Sequence, residues 1–126
     1  MVIIDTNIVI DHLRNPHHTS SLMMLVKQLP KEQISLSIIS IQELYEGRST
    51  LDSHKEEILL AVISPLTILP YTFEIAQLAG QIARDLIHPI EFADAAIAAT
   101  AILNGADLLT LNTKDFMHIK DLHLKR

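Results

Sequence analysis

Apolar residues follow two rhythms along this chain. Met1 to Ile4 is an unbroken, largely β-branched run that stops at Asp5, which predicts a strand apolar on both faces. Similar short runs at 34–37, 66–69 and 108–111 predict three more strands, and 122–124 predicts a last edge strand. Between them the apolar spacing lengthens to three and four residues, the period of a helix with one buried face. Ile8, Val9 and Leu13 place a short helix over 6–13. Leu22, Met23, Leu25, Val26 and Leu29 form the inner side of a second, which Pro16 opens and Pro30 closes. Helices are also expected over 39–47, with Gly47 as C-terminal cap, over 51–64, and over 73–87, where Ile75, Leu78, Ala79, Ile82 and Leu86 carry the period. Pro89 suits the first position of the next, which runs through Ala101 and stops near Asn104-Gly105. Lys114 to Phe116 reads as a turn or short helix.

Strands alternating with helices imply parallel β-α-β units, hence an α/β fold: a three-layer α/β/α sandwich on a mostly parallel sheet. With neither repeat nor linker, 1–126 reads as a single domain. In such sheets ligands gather beyond the carboxyl ends of the strands. Asp5 falls where the first strand ends, and Thr110 and Asn112 sit at the end of the fourth.

Composition narrows the function. No apolar run approaches the ~20 residues of a membrane span, and the N-terminus lacks the basic region of a secretory signal. Zero cysteines exclude disulfides and thiolate metal sites and fit a reducing cytoplasm, the expected location. A formal charge of −5 is the wrong sign for gripping nucleic acid through phosphates alone. Acidic charge that binds metal cations, which in turn bring phosphates in, would reconcile the two.

Four carboxylates are the candidates, and three have a local structural explanation. Asp5 would cap the helix that follows it. Ser40 and Glu43 have the spacing of a capping box. Asp115 would lie near the start of a short turn capped by Asn112 or Thr113, where the partial positive charge favours it. Asp94 differs. If Pro89 opens its helix, Asp94 lies in the second turn, with Glu91, Ile90, Ile97 and Ala98 as neighbours at three and four residues. None is a cation, and an unpaired buried carboxylate costs several kcal/mol or takes up a proton. A distant lysine is the structural alternative. If the four acids converge, their repulsion calls for a divalent cation, and hard oxygen ligands select Mg²⁺ or Mn²⁺.

IIDTNIVID, SIISIQELYEG, DAAIAATAI and LLTLNTKDF, in this order and nearly from end to end of the chain, resemble the motifs of the PIN-domain family. Within it they resemble the VapC-like ribonuclease toxins of toxin–antitoxin pairs. The resemblance implies a Mg²⁺-dependent endoribonuclease in which Asp5, Glu43, Asp94 and Asp115 are the catalytic and metal-binding acids, with Mn²⁺ able to substitute. Asn7, Ser40, Thr110 and Asn112 would support them. It also implies RNA as substrate, products with 5′-phosphate and 3′-hydroxyl ends, a homodimer, and a cognate antitoxin lying across the active-site groove. The segment before the third motif, IHPIEFAD, is shorter than is common in the family. Its only further acid, Glu91, is either a helix N-terminal charge or an outer-shell ligand.

Arg14, Arg48 and Lys114 are the candidates for the RNA backbone, each also readable as a solvated charge. The seven histidines (His12, His17, His18, His54, His88, His118 and His123) show no zinc-enzyme pattern and read as surface or structural, with His12 nearest the site. The helices at 16–29 and 51–64 carry wide apolar faces, including Met23, Met24, Leu59, Leu60 and Ile63. These suit either core packing or a partner. The alternative to an enzyme is a catalytically silent PIN-like module that binds protein. A receiver-type phosphoacceptor fits poorly, because the first strand ends in DTN without an acidic pair and the LTILPY strand ends without an acid.

Overall fold

The computed structural model describes residues 1–15 and 19–126. The expected opening of the second helix at Pro16, and the reading of His17 and His18, lie outside the described residues. Four strands, β1 (Val2–Ile4), β2 (Ile34–Ser37), β3 (Thr67–Leu69) and β4 (Asp107–Leu109), form one sheet in the order β3-β2-β1-β4. All three pairings are parallel. Their helices are α1 (Thr6–Arg14), α2 (Ser21–Gln28), α3 (Ile38–Glu46), α4 (Ser53–Ile63), α5 (Phe73–Asp85), α6 (Phe92–Leu103) and α7 (Thr113–Phe116). The expected α/β/α sandwich is therefore present.

Strand side chains alternate between the two faces. Val2, Ile4, Ile34 and Leu36 pack with Ile8 and Val9 of α1, Leu22 and Leu25 of α2, Leu44 of α3, and Leu59 and Ile63 of α4. Ile3 and Leu108 face the other way, onto Ile97, Ala98 and Ala101 of α6 and onto Phe116 of α7. Ile75 and Ala79 of α5 pack with Ala95 and Ala99 of α6. From Ala95 to Ala101 every residue of α6 is buried. That pattern belongs to a helix enclosed on all sides, and alanine keeps its neighbours close. Thr100 is accommodated because its hydroxyl donates to the Ala96 carbonyl at 2.7 Å. Past its last residue, Leu103, the helix is closed by Gly105, which takes φ +61°. Ala106 N donates to Ala101 O at 2.9 Å and Gly105 N to Ile102 O at 3.1 Å, a Schellman closure.

Several boundaries differ from expectation, each for a tertiary reason. Helix α6 starts at Phe92, not Pro89, because Ile90 packs into the clusters around both α5 and α6 and Glu91 after it is extended. Asp94 is thus in the first turn. Helix α3 starts one residue early, capped by Ser37, whose hydroxyl accepts from Ile39 N at 3.1 Å. Gly47 is the C-cap residue of α3, as expected, with φ −72°, outside the left-handed region. Helix α2 begins at Ser21, capped by Ser20, with Met23 and Val26 exposed. Residues 48–51 form a separate 3-10 turn before α4. The edge strand at 122–124 shrinks to one parallel bridge from Leu124 to Leu108. Asp121, at φ +68°, turns the chain directly ahead of it.

Ser35 shares the face of its register partner Ile3, against α6. Its hydroxyl is fully buried and has no hydrogen-bond partner among the described residues. An unsatisfied buried hydroxyl costs about 1–3 kcal/mol. Ser35→Ala should therefore raise the unfolding free energy by about 1 kcal/mol, read as a higher urea midpoint at unchanged slope. A lower midpoint would show that the hydroxyl is bonded after all.

Candidate active site at the carboxyl edge of the sheet

At the carboxyl edge of β1 the backbone N–H of Asp5 still donates to Leu109 O of β4, at 2.9 Å. The Asp5 side chain then caps α1: Oδ1 accepts from Thr6 N at 2.7 Å. Oδ2 accepts from the Thr110 hydroxyl at 2.7 Å. Thr110 Oγ1 in turn accepts from Asn112 N at 3.0 Å and from Asn7 Nδ2 at 3.4 Å. Asn7 Oδ1 accepts from Leu111 N at 3.2 Å. The one proton of Thr110 is thus committed to Asp5, and its lone pairs are taken by donors. Capping and site-building coincide at Asp5.

Glu43 is held by a residue that sequence reading missed. The Thr6 hydroxyl lies 2.6 Å from Glu43 Oε1 and 2.8 Å from Ser40 Oγ. With one proton, Thr6 donates to the carboxylate, and Ser40 then donates to Thr6. Ser40 and Glu43 are therefore not a capping box; they belong to one cluster with Thr6. The available signal was position, since a hydroxyl directly after the strand-end acid must lie at the same edge.

Asp94, half-buried, has neither a hydrogen bond nor an ion pair from its side chain among the described residues, where the one salt bridge joins Arg84 to Asp85. The distant lysine is absent there. Burial pushes the Asp94 carboxyl up, and Asp5, Asp115, Glu43 and Glu91 push it further in that order, to about 6. Burial also raises Asp5, against the pull of the Thr110 and Thr6 hydrogen bonds, and Asp115 adds to the rise. The four acids therefore share one field. No three carboxylate or imidazole groups among the described residues stand as a ready-made ligand triad.

Asp94 and Asp115 line a groove of about 1030 Å³ together with residues 85–92, Lys114 and His118. Glu91 is the N-cap residue of α6 and makes no side-chain cap bond. Of the three basic candidates, only Lys114 borders this groove. Arg14 ends α1, about 12 Å of helix rise from Thr6. Arg48 lies beyond the far end of α3. His12 is structural: its Nδ1 is 2.7 Å from the hydroxyl of Ser20, which caps α2. His88, His118 and Phe92, none of them singled out by the sequence, line the groove.

A parallel α/β/α sandwich with acids at its carboxyl edge defines a class, and the comparisons place the chain in it. Residues 2–122 match the family model described as PIN domain, and the chain belongs to the PIN-domain family. It is 32% identical over 125 residues to Ribonuclease VapC19 of Mycobacterium tuberculosis, covering 97% of each chain. Its fold is similar to the crystal structure of VapBC2 from Rickettsia felis bound to a DNA fragment from their promoter. There the identity is 27% and the TM-score 0.86, over 99% of this chain and 98% of that one. It is also similar to a toxin–antitoxin complex from Klebsiella pneumoniae, at 27% identity and TM-score 0.77 over 97% and 95% of the two chains.

Asp94 gives this site a pH signature. Its folded-state value of about 6 stands above the ordinary 3.8, so over that interval the unfolded chain releases the proton first. Stability contributed by the neutral acid is present below about pH 4, falls as pH rises, and is lost above about pH 6. Asp94→Asn removes the loss. In EDTA the variant should melt at a higher temperature than wild type at pH 7.5, and the difference should narrow at pH 4.5. An equal gap at both pH values would mean that Asp94 is not held neutral by its surroundings.

Proposed function

We propose that this chain is a divalent-metal-dependent endoribonuclease, the toxin of a toxin–antitoxin pair, acting through Asp5, Glu43, Asp94 and Asp115. The carrying observation is Asp94: half-buried, in the field of four other acids, and without a cationic partner among the described residues. Such an arrangement is unfavourable by itself and becomes favourable around a cation. The likeness to a protein named a ribonuclease supports the reaction.

The donor set fits Mg²⁺ or Mn²⁺, being carboxylate oxygen without sulfur. A bound divalent cation would lower the pKa of a water molecule and offset the charge that develops on the phosphate. The chain's own residues supply orientation. Asp5 is fixed through both oxygens by Thr6 and Thr110, and Glu43 through Oε1 by Thr6. These two present oxygens of set direction, the role of supporting hydrogen bonds around metal ligands. Asp94 has no such bond, so both its oxygens are available to cation and water. Asp115 orients water on the groove side, and Lys114 beside it meets the RNA backbone.

An antitoxin partner is supported by the likeness to a toxin–antitoxin complex. Met23, Met24 and Leu60 remain exposed and suit a partner, whereas Leu59 and Ile63 are core. A homodimer belongs to the same proposal. No helix among the described residues is long and apolar enough to cross a membrane.

Purified wild type should cleave a mixed RNA pool with Mg²⁺ or Mn²⁺ and not with EDTA. Loss of even an outer-shell partner costs about 10–100-fold, so Asp94→Asn should lose about 100-fold or more. Mg²⁺ should also raise the melting temperature of wild type more than that of the variant. Equal cleavage by both proteins would indicate a contaminant. Cleavage by neither would favour the protein-binding module.

A further inference from the structure

The groove beside the acids is far larger than an ion and its waters require. At about 1030 Å³ it is at the upper end of small-ligand sites, and one wall is aromatic. Phe92, the first residue of α6, is 70% exposed, while the same helix is wholly buried from Ala95 to Ala101. Tyr71 braces its ring, with centroids 6.2 Å apart and planes tilted by 59°. His88 and His118, both exposed, border the same groove. Lys114, the only lysine or arginine along it, makes no ion pair among the described residues.

Taking the ribonuclease reading as its basis, we propose that this groove is a nucleotide subsite. In it one unpaired base of single-stranded RNA stacks on the ring of Phe92, and Lys114 holds the adjoining phosphate. Phe92 is a substrate-binding residue that places the strand relative to Asp94, two positions along the same helix. The chemistry matches at both ends. A base offers a flat apolar face to an exposed ring, and any base can do so. Its phosphate needs a cation, and Lys114, beside Asp115, is the lysine or arginine that lines the groove. A duplex, whose bases are already stacked on one another, offers no free face.

Two readouts test this with wild type, Phe92→Leu and Phe92→Tyr. Leucine keeps the apolar bulk and removes the ring, and tyrosine keeps the ring. Single-stranded oligoribonucleotides carrying 2-aminopurine report stacking through fluorescence quenching, without any turnover. Wild type and Phe92→Tyr should quench the probe at one position near the cleavage site, and Phe92→Leu should not. In cleavage assays an abasic residue at that position should slow wild type about tenfold, within the range of one base–aromatic stack. Phe92→Leu should be slowed by a similar factor on intact RNA and show no further abasic penalty. Equal quenching by Phe92→Leu, or an abasic penalty equal to that of wild type, would overturn the proposal and leave the groove to a polypeptide side chain. Quenching without metal-dependent cleavage would instead overturn the ribonuclease reading and keep the base subsite.

Discussion

A carboxylate at the edge of a buried parallel sheet must be held against its own desolvation and against its neighbours. The rest of this structure depends on how that cost is distributed. Asp5 meets it with two short hydrogen bonds, one from the first amide of α1 and one from the Thr110 hydroxyl directly after β4. Glu43 meets it with the Thr6 hydroxyl. Asp94 meets it with nothing among the described residues, and its carboxyl rises to about 6. One acid of the cluster is left under electrostatic strain, and strain of this kind concentrates where charge is meant to be neutralised by something that binds.

The core provides the rigidity to sustain it. Burial of α6 from Ala95 to Ala101 fixes the helix between the sheet and α5, so its first turn cannot withdraw toward solvent without opening the interior. Alanine is essential to that placement, because larger side chains would push the helix off Ile3 and Leu108. The Schellman closure at Gly105 leads directly into β4, which Thr110 follows. A single helix–strand unit thus positions both the strained acid and the hydroxyl that steadies Asp5. The same unit exposes Phe92 at its head, next to a groove far too large for an ion alone.

Much of this was legible in the chain. The four core strands followed from short apolar runs, the helices from their three-and-four spacing, and the carboxyl-edge position of Asp5 and Thr110 from the alternation of the two. These are local signals, and burial on both faces leaves a local mark. The family motifs also lay open, because each is a short stretch.

The structure decided what depends on partners distant along the chain. Asp5 and Thr110 are 105 positions apart and Thr6 and Glu43 are 37 apart, so Ser40 and Glu43 could be read as a local capping box until Thr6 came between them. Pro89 looked like a helix start by its own preference, but the packing of Ile90 kept the segment out of the helix and moved Asp94 into the first turn. The groove formed by residues 85–92 and the turn around Lys114 has no local signature, since its walls come from segments distant along the chain that meet in the cluster of Leu86, Ile90, Phe116 and Ile119. The sequence by itself determined the order of the elements and which residues carry charge to the sheet edge. Tertiary structure decided which of those charges are bonded, which is left without a partner and what space opens beside it, because desolvation and hydrogen bonding depend on neighbours in space.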